Sequence, residues 1–526
     1  MSITTARCHA LTFALLLLLI VTTGHTESVT VDKAFDTHCA SCHGNDRLGR
    51  MGPALLPENL GRLKRDDALA TIRDGRNATQ MPAFGEKLDN ATITAMVDYI
   101  YAPLPQLPQW GMEQISNSRV VHFDVAKLPA TAQFKADPMN LFVVVELGDH
   151  HATLLDGDTF EPIHRFATRF ALHGGPKYSP DGRFVYMASR DGWISKFDIY
   201  NLKTVAEIRA GINTRNLAIS DDGRFVMVGN YLPHNVVLLD ATDLTPLRVI
   251  ETRDEHGNSS RVSAVYTAPP RGSFIVALKD IKEVWEIPYR DDAIALPVYT
   301  GPMHDYRAES GEPSLADTNR FPVRRIKLDD YLDDFFFDRN YIHLIGASRS
   351  GKGQVINLVV GQRIAEVELN GMPHLGSGIT WEYQGRPVLA TPNLKSGTVS
   401  VIDMESWKTI KTIATLGPGF FMRSHDNSPY AWVDASLSKD KDSVQLIDKE
   451  SLEIVKTLRP SPGKAASHVE FTRDGKYALL SIWEMDGAIV VYDATTLKEI
   501  KRLPMKKPSG KYNVWNKTRY EGGTSH

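Results

Sequence analysis

The sequence predicts a mainly β protein in which a small all-α domain precedes an eight-bladed β-propeller. The main observation is a motif of two strand residues followed by aspartate, which recurs along most of the chain. It falls at Leu155-Asp156, Phe197-Asp198, Leu239-Asp240, Ile402-Asp403, Ile447-Asp448 and Tyr492-Asp493. The intervals between the aspartates are 42, 42, 163, 45 and 45 residues. A period in the low forties, with room for about four strands per unit, is typical of a propeller.

Two variants of the motif fill the long interval and bring the number of units to eight. Val284-Trp285-Glu286 and Val355-Ile356-Asn357 divide the 163 residues into steps of 46, 71 and 46. A second observation supports the same period, because Asp-Gly pairs recur where hairpin turns are expected. These pairs are Asp181-Gly182, Asp222-Gly223 and Asp474-Gly475.

The step of 71 residues contains an insertion, roughly Arg290 to Arg325. Its content suits a long loop. Long loops in compact domains are often lids or binding elements, but surface decoration explains this one equally well.

Composition and charge exclude several classes of protein. Of the 526 residues, 42% are hydrophobic and 23% are charged, which is ordinary for a folded chain. The net charge of -3 provides no basic surface for nucleic acid. We therefore expect no nucleic-acid partner and no attraction to an anionic membrane surface.

The N-terminus, residues 1–27, is predicted to be a signal peptide. Arg7 precedes an apolar stretch from Leu11 to Val21, and small and polar residues follow. A retained anchor is the alternative, but 11 residues fall short of the roughly 20 that a membrane-spanning helix needs. The mature protein is expected to be periplasmic and not membrane-spanning.

The helical domain, residues 28–103, carries a Cys-x-x-Cys-His motif at Cys39, Cys42 and His43. This pattern attaches c-type haem covalently: two thioethers hold the porphyrin edge, and the adjoining histidine becomes the proximal iron ligand. A redox Cys-x-x-Cys, a structural disulfide and half a zinc site are the alternatives. The adjoining histidine and the absence of a second cysteine pair disfavour all three. The motif predicts one haem c per chain.

A sixth iron ligand is expected downstream of the motif. The domain resembles small bacterial cytochromes c, with Gly52-Pro53-Ala54-Leu55 and Met81-Pro82-Ala83-Phe84 as landmarks. The resemblance makes Met81 the axial ligand, placed before a helix expected from about Asn90 to Tyr101. Met51 is a weaker candidate, and a buried core methionine is the alternative explanation.

A proline-rich linker, residues 104–116, is expected to separate the helical domain from the propeller, residues 117–526. Pro103, Pro105 and Pro108 bracket its first half. Proline fixes φ and removes a hydrogen-bond donor, which ends the helix and favours an extended chain.

A cytochrome c domain followed by an eight-unit propeller resembles the haem d1 protein family over nearly the whole mature chain. That family includes the haem d1 nitrite reductase of denitrification and the dihydro-haem d1 dehydrogenase of cofactor biosynthesis. The resemblance implies a non-covalent haem d1 or dihydro-haem d1 at the propeller axis, in addition to haem c.

Three positions of this chain can be compared with positions of the nitrite reductase. His173 matches the reductase's axial d1 histidine, and His374 matches one of two histidines that protonate nitrite. The second of these positions aligns with Asp333. The missing histidine argues against efficient nitrite reduction.

Two further positions match the dehydrogenase's catalytic pair, His468 and Tyr512, where the reductase has residues that do not shuttle protons. Removing hydrogens from adjacent carbons requires a proton acceptor, a role that histidine or tyrosine can fill. The resemblance also implies His374 as the d1 iron ligand, with His173 as the alternative, and a polar contact from His425. Without the family, each histidine is as readily a satisfied structural residue.

The implied function is a periplasmic oxidoreductase that converts a propionate of dihydro-haem d1 into the acrylate of haem d1. Electrons would pass through haem c to a periplasmic acceptor, and the haem d1 nitrite reductase is a candidate recipient of the product. Nitrite reduction, a haem d1 carrier without catalysis, and a plain electron-transfer protein stay open as alternatives.

Overall fold

The computed structural model describes residues 31–50, 52–60, 63–76, 81–106, 109–169, 172–291, 293, 320–348, 351–369 and 371–520. The expected signal peptide, Met51 and most of the 290–325 insertion lie outside these ranges.

The N-terminal domain is helical around one small core. Its helices are Val31–His38, Ala40–His43, Pro57–Leu60, Arg65–Asp74 and Asn90–Tyr101. The last of these has the expected bounds and begins where the Asp89 carboxylate accepts a hydrogen bond from the Thr92 amide at 2.7 Å. Its buried face packs on the first helix, where the Phe35 and Tyr99 rings lie 5.1 Å apart.

The larger domain is an eight-bladed β-propeller, as predicted. Its strands, from the channel outward, are as follows: blade 1, Pro508–Asn513, Leu141–Glu146, His151–Asp156 and Pro162–Ala167; blade 2, Lys177–Tyr178, Phe184–Ala188, Trp193–Asp198, Lys203–Arg209 and Val120–Val121; blade 3, Asn213–Ile219, Phe225–Leu232, Asn235–Asp240 and Pro246–Glu251; blade 4, Val262–Ala268, Ser273–Leu278, Glu283–Pro288 and Arg324–Lys327; blade 5, Leu332–Phe337, His343–Ser348, Lys352–Asn357 and Gln362–Glu368; blade 6, Ile379–Tyr383, Arg386–Pro392, Thr398–Asp403 and Lys408–Ala414; blade 7, Met422–Arg423, Tyr430–Asp434, Val444–Asp448 and Ile454–Leu458; blade 8, Ala466–Phe471, Tyr477–Ile482, Gly487–Asp493 and Glu499–Met505.

The repeated sequence motif occupies the third strand of each blade, which explains its regular spacing. Blade 1 combines both ends of the propeller chain, because the strand Pro508–Asn513 pairs with Leu141–Glu146. In this pairing Tyr512 lies opposite Val143. The closure removes the free sheet edges that an open array would expose. A short helix, Val514–Thr518, then turns under the channel.

The expected linker is not extended throughout. A helix, Met112–Asn117, begins inside it and buries Ile115 among residues of blades 2 and 3. The Trp110 indole donates to the backbone oxygen of Arg209 at 3.0 Å. Apolar burial on the propeller therefore orders the second half of a segment that proline content alone predicted to be extended.

The insertion enters between the third and fourth strands of blade 4, since Arg324 already belongs to the strand Arg324–Lys327. Within the described ranges, no helix has the length and apolar character needed to cross a bilayer.

Candidate cofactor and active site

The c-type haem motif lies on the short helix Ala40–His43, with the His43 ring buried. The His43 Nδ1–H donates to the Pro53 carbonyl at 2.8 Å, so Nε2 carries the lone pair that an iron ion requires. Burial lowers the pKa of His43, which keeps the imidazole neutral. Gly52 lies against the ring, and a Cβ there would approach it to 2.6 Å.

The two cysteines and Met81 also fit a haem. No disulfide joins Cys39 to Cys42 in the described chain. Burial, followed by the neighbouring Cys42, raises the pKa of the Cys39 thiol to about 11. Met81 packs on the apolar cluster that contains Cys39 and Phe84, so a loop methionine and the attachment site share one core. When bound, a haem at this site would supply single-electron transfer.

A second group of predicted residues meets at the end of the propeller channel where the inner strands begin, here called the upper end. A chain of ring contacts connects them: His374 to Phe420 at 4.4 Å, Phe421 to His468 at 4.8 Å, and His468 to Tyr512 at 5.1 Å between ring centroids. His173 approaches the same group from blade 2, two residues before Gly175, which lies against the Tyr512 ring. The fold therefore brings together four of the five propeller residues predicted from the sequence.

His374 is held in the orientation that suits an iron ligand. Its Nδ1 lies 2.5 Å from the Phe420 carbonyl, and the Ser377 hydroxyl lies 3.0 Å from the same nitrogen. A donated Nδ1 proton leaves the lone pair on Nε2. The following loop is fixed by Asp334, whose carboxylate accepts from the Gly376 amide at 2.6 Å.

His173 is held differently, by a cation. Its Nδ1 lies 2.7 Å from the Arg215 carbonyl, and the Arg215 guanidinium nitrogen lies 3.1 Å from Nε2. Burial and the charges of Arg190 and Arg215 lower the pKa of His173 far below its usual value. The same guanidinium nitrogen lies 3.2 Å from Nδ1, so Arg215 lies against the ring. Its positive charge beside His173 favours His374 as the ligand of a cationic iron.

His468 has a strained backbone and an unsatisfied ring nitrogen. It forms a β-bulge between Ser467 and Val469, with φ of 53°. A non-glycine residue in this region costs about 1 to 3 kcal/mol, and such strain is concentrated at functional sites. Within the described ranges, its buried Nδ1 has no hydrogen-bond partner. Burial, with Lys511, Lys517 and Arg423 nearby, lowers its pKa well below the usual value.

Tyr512 lies between two glycines that leave room for its ring. A Cβ on Gly175 would approach a ring carbon to 2.9 Å, and one on Gly510 would approach the hydroxyl oxygen to 2.5 Å. Burial and the carboxylate of Glu470 raise the pKa of Tyr512. The phenol therefore stays protonated and can donate a hydrogen bond.

His425 does not join this group. It follows the inner strand of blade 7, so it lies at the other end of the channel, here called the lower end. Its ring contacts Phe471 and the Arg473 carbonyl at the end of blade 8's inner strand. Phe471 lies three residues beyond His468 along that strand, and each residue advances about 3.3 Å. His425 therefore lies about 10 Å along the channel from His468, and its contact with the macrocycle stays a prediction.

No motif in the sequence marks Arg190, Lys279 and Tyr231, which lie together at the upper end. Burial and Arg215 lower the pKa of Arg190 to about 10. Burial alone would raise the pKa of Tyr231, but the charges of Lys279, Arg215 and Arg190 lower it to about 7. The Lys279 ammonium also donates a hydrogen bond to the Tyr231 hydroxyl at 3.1 Å. Such clustering suits a ligand with several carboxylates.

The helical domain packs on the same face of the propeller. Ala54 and Leu56 form a buried apolar cluster with Ile212 and Leu232 of blade 3. Ile212 directly precedes the strand that carries Arg215, and Ala54 directly follows the Pro53 carbonyl that orients His43. The two candidate haem sites therefore adjoin one domain interface.

Comparisons with known proteins agree with this arrangement. Residues 136–303 and 312–517 match the family described as Cytochrome D1 heme domain. Residues 30–100 match the family described as Cytochrome C oxidase, cbb3-type, subunit III. These two matches bear out a cytochrome c domain followed by a d1 haem domain.

Two relatives and one solved structure cover nearly the whole chain. A dihydro-haem d1 dehydrogenase of Pseudomonas aeruginosa is 58% identical over 93% of this chain and 94% of its own. A nitrite reductase of Stutzerimonas stutzeri is 26% identical over 91% of each. The solved structure of dihydro-haem d1 dehydrogenase NirN in complex with DHE has a TM-score of 0.79 and 57% identity, covering 93% of this chain and all of that one. The chain therefore belongs to the dihydro-haem d1 dehydrogenase family and is an oxidoreductase.

Proposed function

We propose that this protein dehydrogenates a propionate side chain of dihydro-haem d1 to the acrylate of haem d1, in the periplasm, with haem c as the electron exit. The observation that carries the proposal is the His468–Tyr512 pair, whose rings lie 5.1 Å apart beside His374 and the upper-end cations. It accords with the names of the 58% identical relative and of the solved complex.

Binding is assigned to three kinds of side chain. His374 ligates the iron of the substrate through Nε2, in the tautomer fixed by Phe420. Arg190, Arg215 and Lys279 hold the carboxylates of the macrocycle. These contacts point the propionate side chain, which is the group that reacts, toward blades 8 and 1.

The reaction removes two protons and two electrons as a CH2–CH2 unit becomes CH=CH. His468 accepts the two protons in turn, one from each carbon, and releases the first to solvent before it takes the second. Its lowered pKa keeps the imidazole neutral between these steps, and its buried Nδ1 is available to accept a proton. Tyr512 donates a hydrogen bond to the side chain and orients it toward His468. The balance requires two equivalents of an external one-electron acceptor, and a haem c held by Cys39, Cys42 and His43 would supply the single-electron transfer to it.

Nitrite reduction is disfavoured by the surroundings of Asp333. That carboxylate is buried and lies 3.7 Å from the Lys279 ammonium. This position therefore presents no imidazole to a bound anion, and its carboxylate is engaged with a lysine.

The test is anaerobic visible spectroscopy of the holoprotein with dihydro-haem d1 and a one-electron acceptor such as ferricyanide. Conversion to the haem d1 spectrum, with two acceptors reduced per macrocycle, supports the proposal. Binding without spectral conversion would instead make the protein a carrier. Nitrite-dependent oxidation of the reduced protein, with release of nitric oxide, would favour the reductase alternative.

A further inference from the structure

Asp434 ends the second strand of blade 7, and its side chain is buried at the upper end of the channel. We propose that this carboxylate is a positioning residue that holds the iron ligand His374 and the proton acceptor His468 in one fixed arrangement. It acts through intervening groups, one on the side of each histidine. The inference rests on the function proposed above and adds a residue to that site.

The first side of the arrangement leads to His374. The Asp434 carboxylate accepts hydrogen bonds from the Phe420 amide at 2.7 Å and from the Phe421 amide at 3.2 Å. The Phe420 carbonyl, which lies 2.5 Å from the His374 Nδ1, belongs to the same planar peptide group as the Phe421 amide. One rigid peptide group therefore connects the carboxylate to the imidazole, and linked hydrogen bonds of this kind polarise one another.

The second side leads to His468. The Ser467 hydroxyl is buried and donates to the Asp434 carboxylate at 2.6 Å. Ser467 directly precedes His468 and begins the β-bulge in which His468 has a φ of 53°. A bulge redirects a side chain, and a strained residue keeps its conformation only where the surrounding structure holds it. The Ser467–Asp434 hydrogen bond holds the bulge from the neighbouring blade.

The loop before the inner strand of blade 7 is packed closely against Asp434. A Cβ on Gly419 would lie 2.5 Å from the Asp434 backbone oxygen, so this approach requires a glycine. The Ser436 hydroxyl donates to the carboxylate at 3.0 Å, beside the Phe420 amide. Two backbone amides and two serine hydroxyls thus surround the carboxylate, which fixes its orientation.

Asp434 connects three successive blades at the site. His374 precedes the inner strand of blade 6, Asp434 belongs to blade 7, and His468 lies on the inner strand of blade 8. The iron ligand decides where the macrocycle sits, so the base must stand at a fixed distance from that ligand. A misplacement of about 1 Å can lower a rate by on the order of 100-fold.

The test compares Asp434→Asn and Ser467→Ala with the parent holoprotein, using haem d1 to measure binding and dihydro-haem d1 to measure conversion. Asparagine keeps the shape of the side chain, but in either orientation its NH2 group faces a backbone amide, which cannot accept a hydrogen bond. We expect Asp434→Asn to change the ligand-dependent visible bands of bound haem d1 and to slow conversion by about 10- to 100-fold. Ser467→Ala should keep the parental bands and the parental affinity for haem d1, and should slow conversion by about tenfold.

A double-mutant cycle and a matched control separate positioning from a general loss of packing. Because Ser467 acts through Asp434, adding Ser467→Ala to Asp434→Asn should slow conversion further by less than about twofold. Asp448→Asn is the control and should behave as the parent. The Asp448 carboxylate ends the third strand of the same blade and accepts from the Glu450 amide at 3.1 Å and from the Ser451 amide at 2.8 Å, at the lower end.

The inference is overturned if Asp434→Asn keeps the parental bands and rate, or if the effects of the two substitutions on the rate multiply. Should Asp434→Asn not fold, Ser467→Ala decides: parental binding with slow conversion supports the inference, and parental conversion overturns it. If the parent protein itself fails to convert dihydro-haem d1, the proposed function fails instead. The haem d1 bands of Asp434→Asn then still show whether Asp434 positions His374.

Discussion

The imidazole of His468 meets the phenol of Tyr512 edge to face, at 5.1 Å between ring centroids and an interplanar angle of 68°. The two residues lie 44 positions apart in the sequence, on the inner strands of blades 8 and 1. They meet because the last strand of the chain closes the ring of blades. A base and a hydrogen-bond donor thus face the channel from adjacent blades.

This pairing predicts that His468→Ala and Tyr512→Phe bind dihydro-haem d1 but convert it slowly. General acid–base groups contribute roughly 10²- to 10⁴-fold, so the conversion rate should fall within that range for His468→Ala and less for Tyr512→Phe. Visible spectra would report binding and conversion separately. His256→Ala, on an exposed turn, is the control. Parental rates in both site variants would remove the catalytic roles assigned here.

The tautomer of His374 predicts which histidine ligates the d1 iron. His374→Gly should weaken macrocycle binding by about tenfold or more, since even indirect partners of metal ligands cost about 10- to 100-fold. Added imidazole should restore the ligand-dependent visible bands in His374→Gly. His173→Gly, whose ring faces Arg215, should show no such recovery. Imidazole-dependent bands in His173→Gly alone would reverse the assignment.

Axial ligation by Met81 predicts the direction in which the haem c potential moves. Met/His ligation raises the potential, and axial ligands adjust haem potentials over about 0.8 V. Met81→His should therefore lower the reduction potential of haem c and make the uptake of electrons from the substrate by haem c less favourable. Spectroelectrochemical titration measures the potential. An unchanged value would mean that another residue is the sixth ligand.

The lowered pKa of His468 predicts a loss of stability in acid for the protein without tetrapyrrole. The folded state keeps this imidazole neutral, whereas the unfolded chain protonates it below its ordinary pKa of about 6.5. Stability therefore rises with pH up to about 6.5 and falls as the pH drops below that value.

As the pH falls from 6.5 to 5, one such histidine lowers the free energy of unfolding by up to about 2 kcal/mol. Urea unfolding followed by circular dichroism should show a smaller pH dependence in His468→Gln than in the parent. His256→Gln should match the parent. An equal pH dependence in all three proteins would show that His468 does not contribute.

The sequence by itself determined the domain order, the number of blades and the Cys-x-x-Cys-His motif that is expected to attach haem c. Strand periodicity and the Cys-x-x-Cys-His spacing are local properties, so they can be recognised without tertiary contacts. The family resemblance also singled out His374, His468 and Tyr512, which the fold brings to one end of the channel.

Only the tertiary structure decided which residues share a site and in what state. His425 is as conspicuous in the sequence as His374, yet it lies at the lower end, because it follows its inner strand whereas His374 precedes its own. Arg190, Tyr231 and Lys279 come from the hairpins of three blades, and only ring closure makes them neighbours. The bulge that strains His468, and the burial that shifts its pKa, likewise arise from packing between blades.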